Sequence, residues 1–287
     1  MSNYVIYTDS ACDVASEQLK SWGVHSSNLT FQFDGEGKEY SNEDMSVPEF
    51  YKKMRDGYVA KTSAVNVATF LDAFDKLLNQ GQDILYLGFA SPLSATYSSA
   101  VIASEQLRQK YPERKILTVD TLCASSGQAL LIYHTVKKKH CGASIEEAAA
   151  FAEELKQYVC HWITVDDLVY LKRGGRISPT TALVGKALGI KPLIYINAEG
   201  TLDSVGKVRG RKKAIAALAD AYGKNARNLD GSVFITHSEC PEDAKELSSI
   251  LKERYNASTQ LITDIGPVVG AHVGPGGLVF SFIGKER

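Results

Sequence analysis

At 287 residues, 44% hydrophobic and 23% charged, the chain can bury a sizeable core without disulfides or a structural metal, and it reads as an ordinary globular protein. Its 32 Lys and Arg against 33 Asp and Glu leave a formal charge of −1, which excludes the basic excess of a general nucleic-acid binder. Cys12, Cys123, Cys141, Cys160 and Cys240 form no C-x-x-C pair, so neither a zinc ribbon nor a disulfide framework is indicated, and free thiols in a reducing cytoplasm are expected.

The opening "MSNYVIYTDS" carries no basic stretch before its apolar run, so no signal peptide is expected. No apolar run approaches the ~18 residues of a membrane-spanning helix. "YVIYTD" (4–9) reads as a buried parallel strand. "NVATFLDAFDKLL" (66–78) places Val67, Phe70, Leu71, Phe74, Leu77 and Leu78 on one helical face. Strands follow at "DILYLGF" (83–89) and "KILTVD" (115–120), each with a helix behind it, over 95–110 and 124–139. "SIEEAAAFAEELKQYV" (144–159) opens with Ser144 and Glu147 in capping-box spacing and predicts a further helix. "KPLIYINAEGTLDSVGKV" (191–208) predicts an antiparallel hairpin about Ala198-Glu199-Gly200. A helix (210–227), strand (232–238), helix (240–255) and strands at 259–265 and 278–284 complete the chain. The expected fold is α/β with two domains: 1–158 with a mostly parallel sheet, and 159–287 mixed, including the hairpin. A ligand is expected in the cleft between them.

Hydroxyl and acidic residues gather where the first-half strands end: Thr8-Asp9-Ser10, "ASPLSATYSS" (90–99) and "DTLCASSG" (120–127) with Ser125 and Ser126. Lys61-Thr62-Ser63 is placed among them. Each cluster alone reads as helix capping; together on one sheet edge they read equally as a polar binding rim. Enzyme templates are missing: there is no G-x-S-x-G elbow, P-loop or H-E-x-x-H. Cys123 reads as a buried thiol, and His25, His134, His140 and His161 form no constellation. "LKRGGRIS" (171–178) puts Arg173 and Arg176 at a Gly-Gly turn, where a guanidinium could fork onto a carboxylate or phosphate or simply be solvated. "KVRGRKK" (207–213) sets Lys207, Arg209, Arg211, Lys212 and Lys213 at a helix start, where the macrodipole disfavours cations. That points to an acidic partner or a transient contact with an anionic membrane surface, or to a solvated helix face. "GPVVGAHVGPGG" (266–277) leaves open a phosphate loop, a catalytic His272 on a hinge, or a turn.

In chain order, Thr8-Asp9-Ser10, Lys61-Thr62-Ser63, "SPLSATYSS", "LKRGGRIS", "LGIKPLI" and "GAHVGPGG" together resemble the DegV family. The resemblance implies two α/β domains with a long-chain fatty acid buried between them. It also implies, in many bacteria, a role as the acyl-carrying subunit that offers the carboxylate to an ATP-dependent fatty acid kinase. On this resemblance Thr62, Ser63, Ser94 and His272 hold the carboxylate. Arg173 or Arg176 assists, Asp9, Ser10, Ser125 and Ser126 are further head-group or phosphate contacts, and the 207–213 cluster docks the partner. "TSAVN" and "LSATY" depart from the family's usual "TSQP" and "LSGTY", which leaves the hydroxyls in place but puts the tail channel's shape in doubt. The implied protein is a cytoplasmic monomer without catalytic residues, metal or cofactor. The competing expectation is a stand-alone enzyme on a small carboxylated or phosphorylated substrate with His272 as general acid/base.

Overall fold

The computed structural model describes residues 4–177, 189–229 and 231–287. Ser178 of "LKRGGRIS" and Leu188 of "LGIKPLI" lie outside them. Strands β1 (Tyr4–Asp9), β2 (Val24–Ser27), β6 (Asp83–Gly88) and β7 (Ile116–Asp120) form one sheet in the order β2-β1-β6-β7, every pair parallel. All six residues of β1 are buried, as expected for a strand covered on both faces. Helices α1 (Ser16–Ser21), α3 (Val67–Asn79), α4 (Thr96–Lys110), α5 (Ser125–His140) and α6 (Ile145–Leu155) connect or flank these strands. The Ser144–Glu147 capping box of α6 is present in both directions.

The second sheet is mixed, in the order β10-β9-β8-β13-β11-β12. Its strands are β8 (Val159–Thr164), β9 (Ile190–Ile196), β10 (Leu202–Arg209), β11 (Ser232–His237), β12 (Ser258–Asp264) and β13 (Leu278–Ile283). The β9–β10 hairpin is antiparallel, whereas β11 and β12 run parallel across α9 (Pro241–Tyr255). Helix α8 (Arg211–Asn225) packs on β8, β9 and β10. The expected α/β architecture, with a parallel sheet followed by a mixed one, is therefore observed.

Four local expectations need correction. The helix expected over 144–159 ends at Leu155, a 3-10 turn covers Lys156–Tyr158, and Val159 already opens strand β8. Val159, Ile163 and Thr164 are buried and the strand pairs with β9 and β13, so tertiary pairing overrides the helical run before it. Lys61-Thr62-Ser63 does not end a strand of the parallel sheet. It belongs to β5 (Ala60–Ser63), in a separate antiparallel sheet with β3 (Thr30–Phe33) and β4 (Glu39–Ser41). Lys207 and Arg209 stand on strand β10, so only Arg211, Lys212 and Lys213 begin a helix. Within "GPVVGAHVGPGG", residues Pro267–Val273 form a helix, α10, with Pro267 at its first turn.

Two packing devices set the geometry where the sheets meet. Helix α5 is buried along Ser125–Ile132 without interruption because it lies between layers, touching β6 on one side and β8, β11 and β13 on the other. Helix α10 rests on α2 (Val47–Arg55): a Cβ on Gly270 would overlap the Tyr51 hydroxyl. That hydroxyl donates to the Ile265 carbonyl at 2.8 Å. Glycine at 270 thus permits a close approach that any larger residue would prevent.

Candidate functional site

A cavity of about 250 Å³ opens where the two sheets meet. Its walls are mainly apolar. Leu29, Phe89 and Leu93 line it from the first half, Ile163, Ile196 and Val279 from the second sheet, and Val268 and Val269 from α10. Thr62, Ser63, Ser94, Ser125, Arg176 and His272 supply its polar lining. These residues come from β5, the loop after β6, the start of α5, the turn after α7 (Val169–Arg173), and α10. Among the described lining residues none is acidic and Arg176 is the one fixed charge.

Direct contacts chain five of these positions together. His272 Nε2 lies 2.8 Å from Thr62 Oγ1. Gly174 sits so close to the His272 ring that a Cβ would overlap Nδ1. Arg176 donates to the Gly174 carbonyl through Nη1, and to the Leu93 carbonyl from Nε at 3.1 Å and Nη2 at 2.8 Å. Ser94 follows Leu93 directly. A guanidinium has five N–H groups, so after these three bonds two have no acceptor among the described residues.

Burial, together with the Arg176 charge, pushes the His272 imidazole down to about 4. The ring is therefore neutral around pH 7, and one nitrogen carries the proton. Nδ1 is buried with no hydrogen-bond partner among the described residues. A proton there would be an orphaned buried donor, so the favoured tautomer carries it on Nε2 and donates to Thr62 Oγ1. Thr62 must then aim its own proton elsewhere, and the cavity lies beside it. Thr62, Arg176 and His272 also border a second pocket of about 300 Å³ that includes Lys61 and Arg173. The Thr62–His272 pair thus stands between an apolar cavity and a cationic one.

Gly174→Ala should push the imidazole off Thr62 toward solvent. The expected result is a rise in the His272 pKa of roughly one unit or more, read by NMR titration of the ring. A ring that still titrates near 4 contradicts the contact.

A model of the DegV family, described as uncharacterised proteins, matches residues 3–285. The chain belongs to the DegV family. A DegV domain-containing protein of Clostridium perfringens is 41% identical over 289 residues, covering 100% of this chain and 99% of that one. The solved structure of a Thermus thermophilus DegV protein, described as binding fatty acid, superposes with TM-score 0.88 at 26% identity over 98% of this chain and 99% of that one. The fatty acid kinase B3 protein of Streptococcus pneumoniae, solved with linoleic acid, shares the fold with TM-score 0.86 at 21% identity over 99% of each chain.

Apart from Ser125, the other residues singled out in this DegV chain stand away from the cavity. Asp9 is fully buried and accepts from Tyr86 Oη (2.7 Å), Phe89 N (2.9 Å), Ala11 N (3.1 Å) and Gln128 Nε2 (3.3 Å). Burial raises its pKa, and with these donors satisfied it acts as a brace between β1, β6 and α5. Ser10 receives the Leu29 amide at 3.0 Å, and Ser126 pairs with Ser281 at 2.7 Å. Ser125 reaches the cavity wall, but its hydroxyl donates to Asp13 at 2.5 Å and meets Thr236 at 2.7 Å. Arg173 is exposed, over the Tyr170 ring. Lys207, Arg209, Lys212 and Lys213 are exposed, whereas Arg211 bonds Asp243 at 2.8 Å. Among the described residues no group of three His, Cys, Asp or Glu is placed to hold a metal, and no helix is long and apolar enough to cross a membrane.

Gly174, Asp13 and Thr96 all fall in or beside the motifs of the sequence, Asp13 close behind Thr8-Asp9-Ser10, but the sequence assigns none of them its contact. Asp13 holds a left-handed backbone (φ 52°) and accepts the Gly266 amide at 2.9 Å, fixing the start of α10. Burial pushes its carboxyl up to about 8. An acidic residue four positions after a strand carries no signal of that contact. Only the fold brings it to residue 266.

Proposed function

We propose that this protein holds one long-chain fatty acid in the cavity between its sheets, with the carboxylate against Thr62, Ser63, Ser94 and His272. The observation that carries the reading is the pairing of an apolar cavity with the Thr62–His272 contact, beside the charge of Arg176. Each methylene buried contributes about 0.8 kcal/mol, so the tail supplies affinity while hydroxyl donors fix the head group. The field of Arg176 offsets the cost of bringing a carboxylate out of water. The Thermus thermophilus relative, described as binding fatty acid, supports the same ligand class.

The finer reading is that the protein is not itself a catalyst and offers its carboxylate to a separate ATP-dependent kinase subunit in the cytoplasm. The second pocket supports this, because Lys61, Arg173 and Arg176 stand on the far side of Thr62 and His272, where an incoming phosphoryl group needs countercharge. The exposed Lys207, Arg209, Lys212 and Lys213 offer an acidic partner a basic patch. A division into domains 1–158 and 159–287 fits the sheets, since the parallel and three-stranded sheets use residues 4–120 and the mixed sheet 159–283. We propose a monomer. The stand-alone enzyme reading is weakened by His272 itself: a general base near neutrality should not titrate near 4, and no lining carboxylate partners it.

Denaturing extraction and mass spectrometry of protein purified from a bacterial host test the reading. A C14–C18 fatty acid near one per chain is expected. Preparations that carry no lipid, and that after delipidation take up none, would overturn it.

A further inference from the structure

We propose that Thr96 is a positioning residue that forces the Ser94 hydroxyl to donate into the cavity, as His272 does for Thr62. The inference rests on the fatty-acid reading above. Thr96 opens α4 and is fully buried. Its Oγ1 receives the Val65 amide at 3.3 Å and lies 2.9 Å from Ser94 Oγ, which also receives the Thr96 amide at 3.2 Å. Val65 and Ser94 belong to the two rim segments, Thr62–Val65 and Leu93–Ala95, so one hydroxyl ties both together.

Counting protons decides the direction of the Ser94–Thr96 bond. If Ser94 donated to Thr96, the Thr96 proton would have no acceptor among the described residues, in a position without solvent. That is the costly arrangement. With Thr96 donating, Ser94 Oγ accepts twice, from the Thr96 hydroxyl and the Thr96 amide. Both its lone pairs are then used, and its single proton is left to point at a ligand. Ser94 consequently presents a donor and no spare acceptor, whereas Thr62, which accepts once from His272, presents a donor and keeps one lone pair. At Ser94 a carboxylate, which only accepts, is therefore favoured over an alcohol of the same length, whose own proton finds no acceptor there.

The experiment measures dissociation constants for palmitic acid and 1-hexadecanol on delipidated protein. Thr96→Val should weaken the acid about tenfold and the alcohol less than twofold, and Thr96→Ser should return the acid to within about twofold of wild type. In a Ser94→Ala background, Thr96→Val should add nothing further, because Thr96 acts through Ser94. An unchanged acid constant, or equal loss of acid and alcohol, overturns the proposal and leaves Thr96 as a packing residue. If Thr96→Val does not fold, Thr96→Cys, whose thiol donates weakly, is read by the same ratio: a lowered acid preference supports the proposal and an unchanged one overturns it. Wild-type protein that binds neither ligand overturns the fatty-acid reading, and this inference with it.

Discussion

Arg176→Gln should retain palmitic acid at least about tenfold more weakly than wild type and melt several degrees lower. Two separate losses combine. Among the described lining residues the cavity loses its one fixed positive charge, so a carboxylate placed there has neutral hydroxyls and a neutral histidine for company. The Leu93 and Gly174 carbonyls also lose a forked donor that holds the Ser94 segment against the turn beside His272. Charge-assisted bonds of this kind are each worth about 1.5–3 kcal/mol, and carbonyls left buried without donors add to the cost. Arg176→Lys should not restore the wild type, because an ammonium cannot reproduce the planar fork. Titration calorimetry and thermal unfolding read the two losses independently. An unchanged palmitate constant in the folded variant would remove Arg176 from the site.

Gly127→Ala is expected to give the largest loss of stability, about 3 kcal/mol, or a fall in melting temperature of roughly 5–10 °C. Gly127 lies in the first turn of α5, and a Cβ there would overlap the imidazole of His161 on β8. His161 is fully buried, neither ring nitrogen meets the hydrogen-bond geometry of a partner among the described residues, and burial holds its pKa well below the usual histidine range. The ring therefore fills space as a neutral group, and it cannot swing into solvent to make room. Backbone strain is not the cause, since Gly127 does not hold a left-handed backbone. Combining Gly127→Ala with His161→Ser should recover much of the loss. A single variant that melts with wild type would show that the layers shift apart more freely than the packing implies.

Much of the architecture was legible because it follows from local periodicity. The continuous apolar run of β1, the stripe of α3 and the capping box of α6 each have one satisfactory local solution. Strand β8 was not legible, since "VCHWIT" follows a strong helix without a break, and only its neighbours β9 and β13 pull it into a sheet. The same holds for α5. Ser125, Ser126 and Gly127 look like a polar rim in sequence, yet they form the hydrogen-bonding edge of a helix pressed between two sheets, and of the three Ser125 alone lines the cavity.

The candidate site divides in the same way. The residue types were present in the sequence, and Thr62, Ser63, Ser94 and His272 do share one cavity. The choice between the arginines was not available there, because Arg173 and Arg176 flank the same turn and differ only in which way it faces. The structure turns Arg176 inward to Leu93 and leaves Arg173 over Tyr170. Asp9, four positions from Asp13, illustrates the limit: both are buried carboxylates, and their partners lie 77 and 112 residues away.

The sequence by itself determined most of the element types and their order, and the family, because those depend on the spacing of apolar and small residues along the chain. Tertiary structure alone decided which hydroxyls face a common cavity, which histidine is neutral and which arginine supplies the field. Those properties depend on burial and on contacts between distant segments, such as Thr62 and His272, 210 residues apart, and no local pattern encodes them.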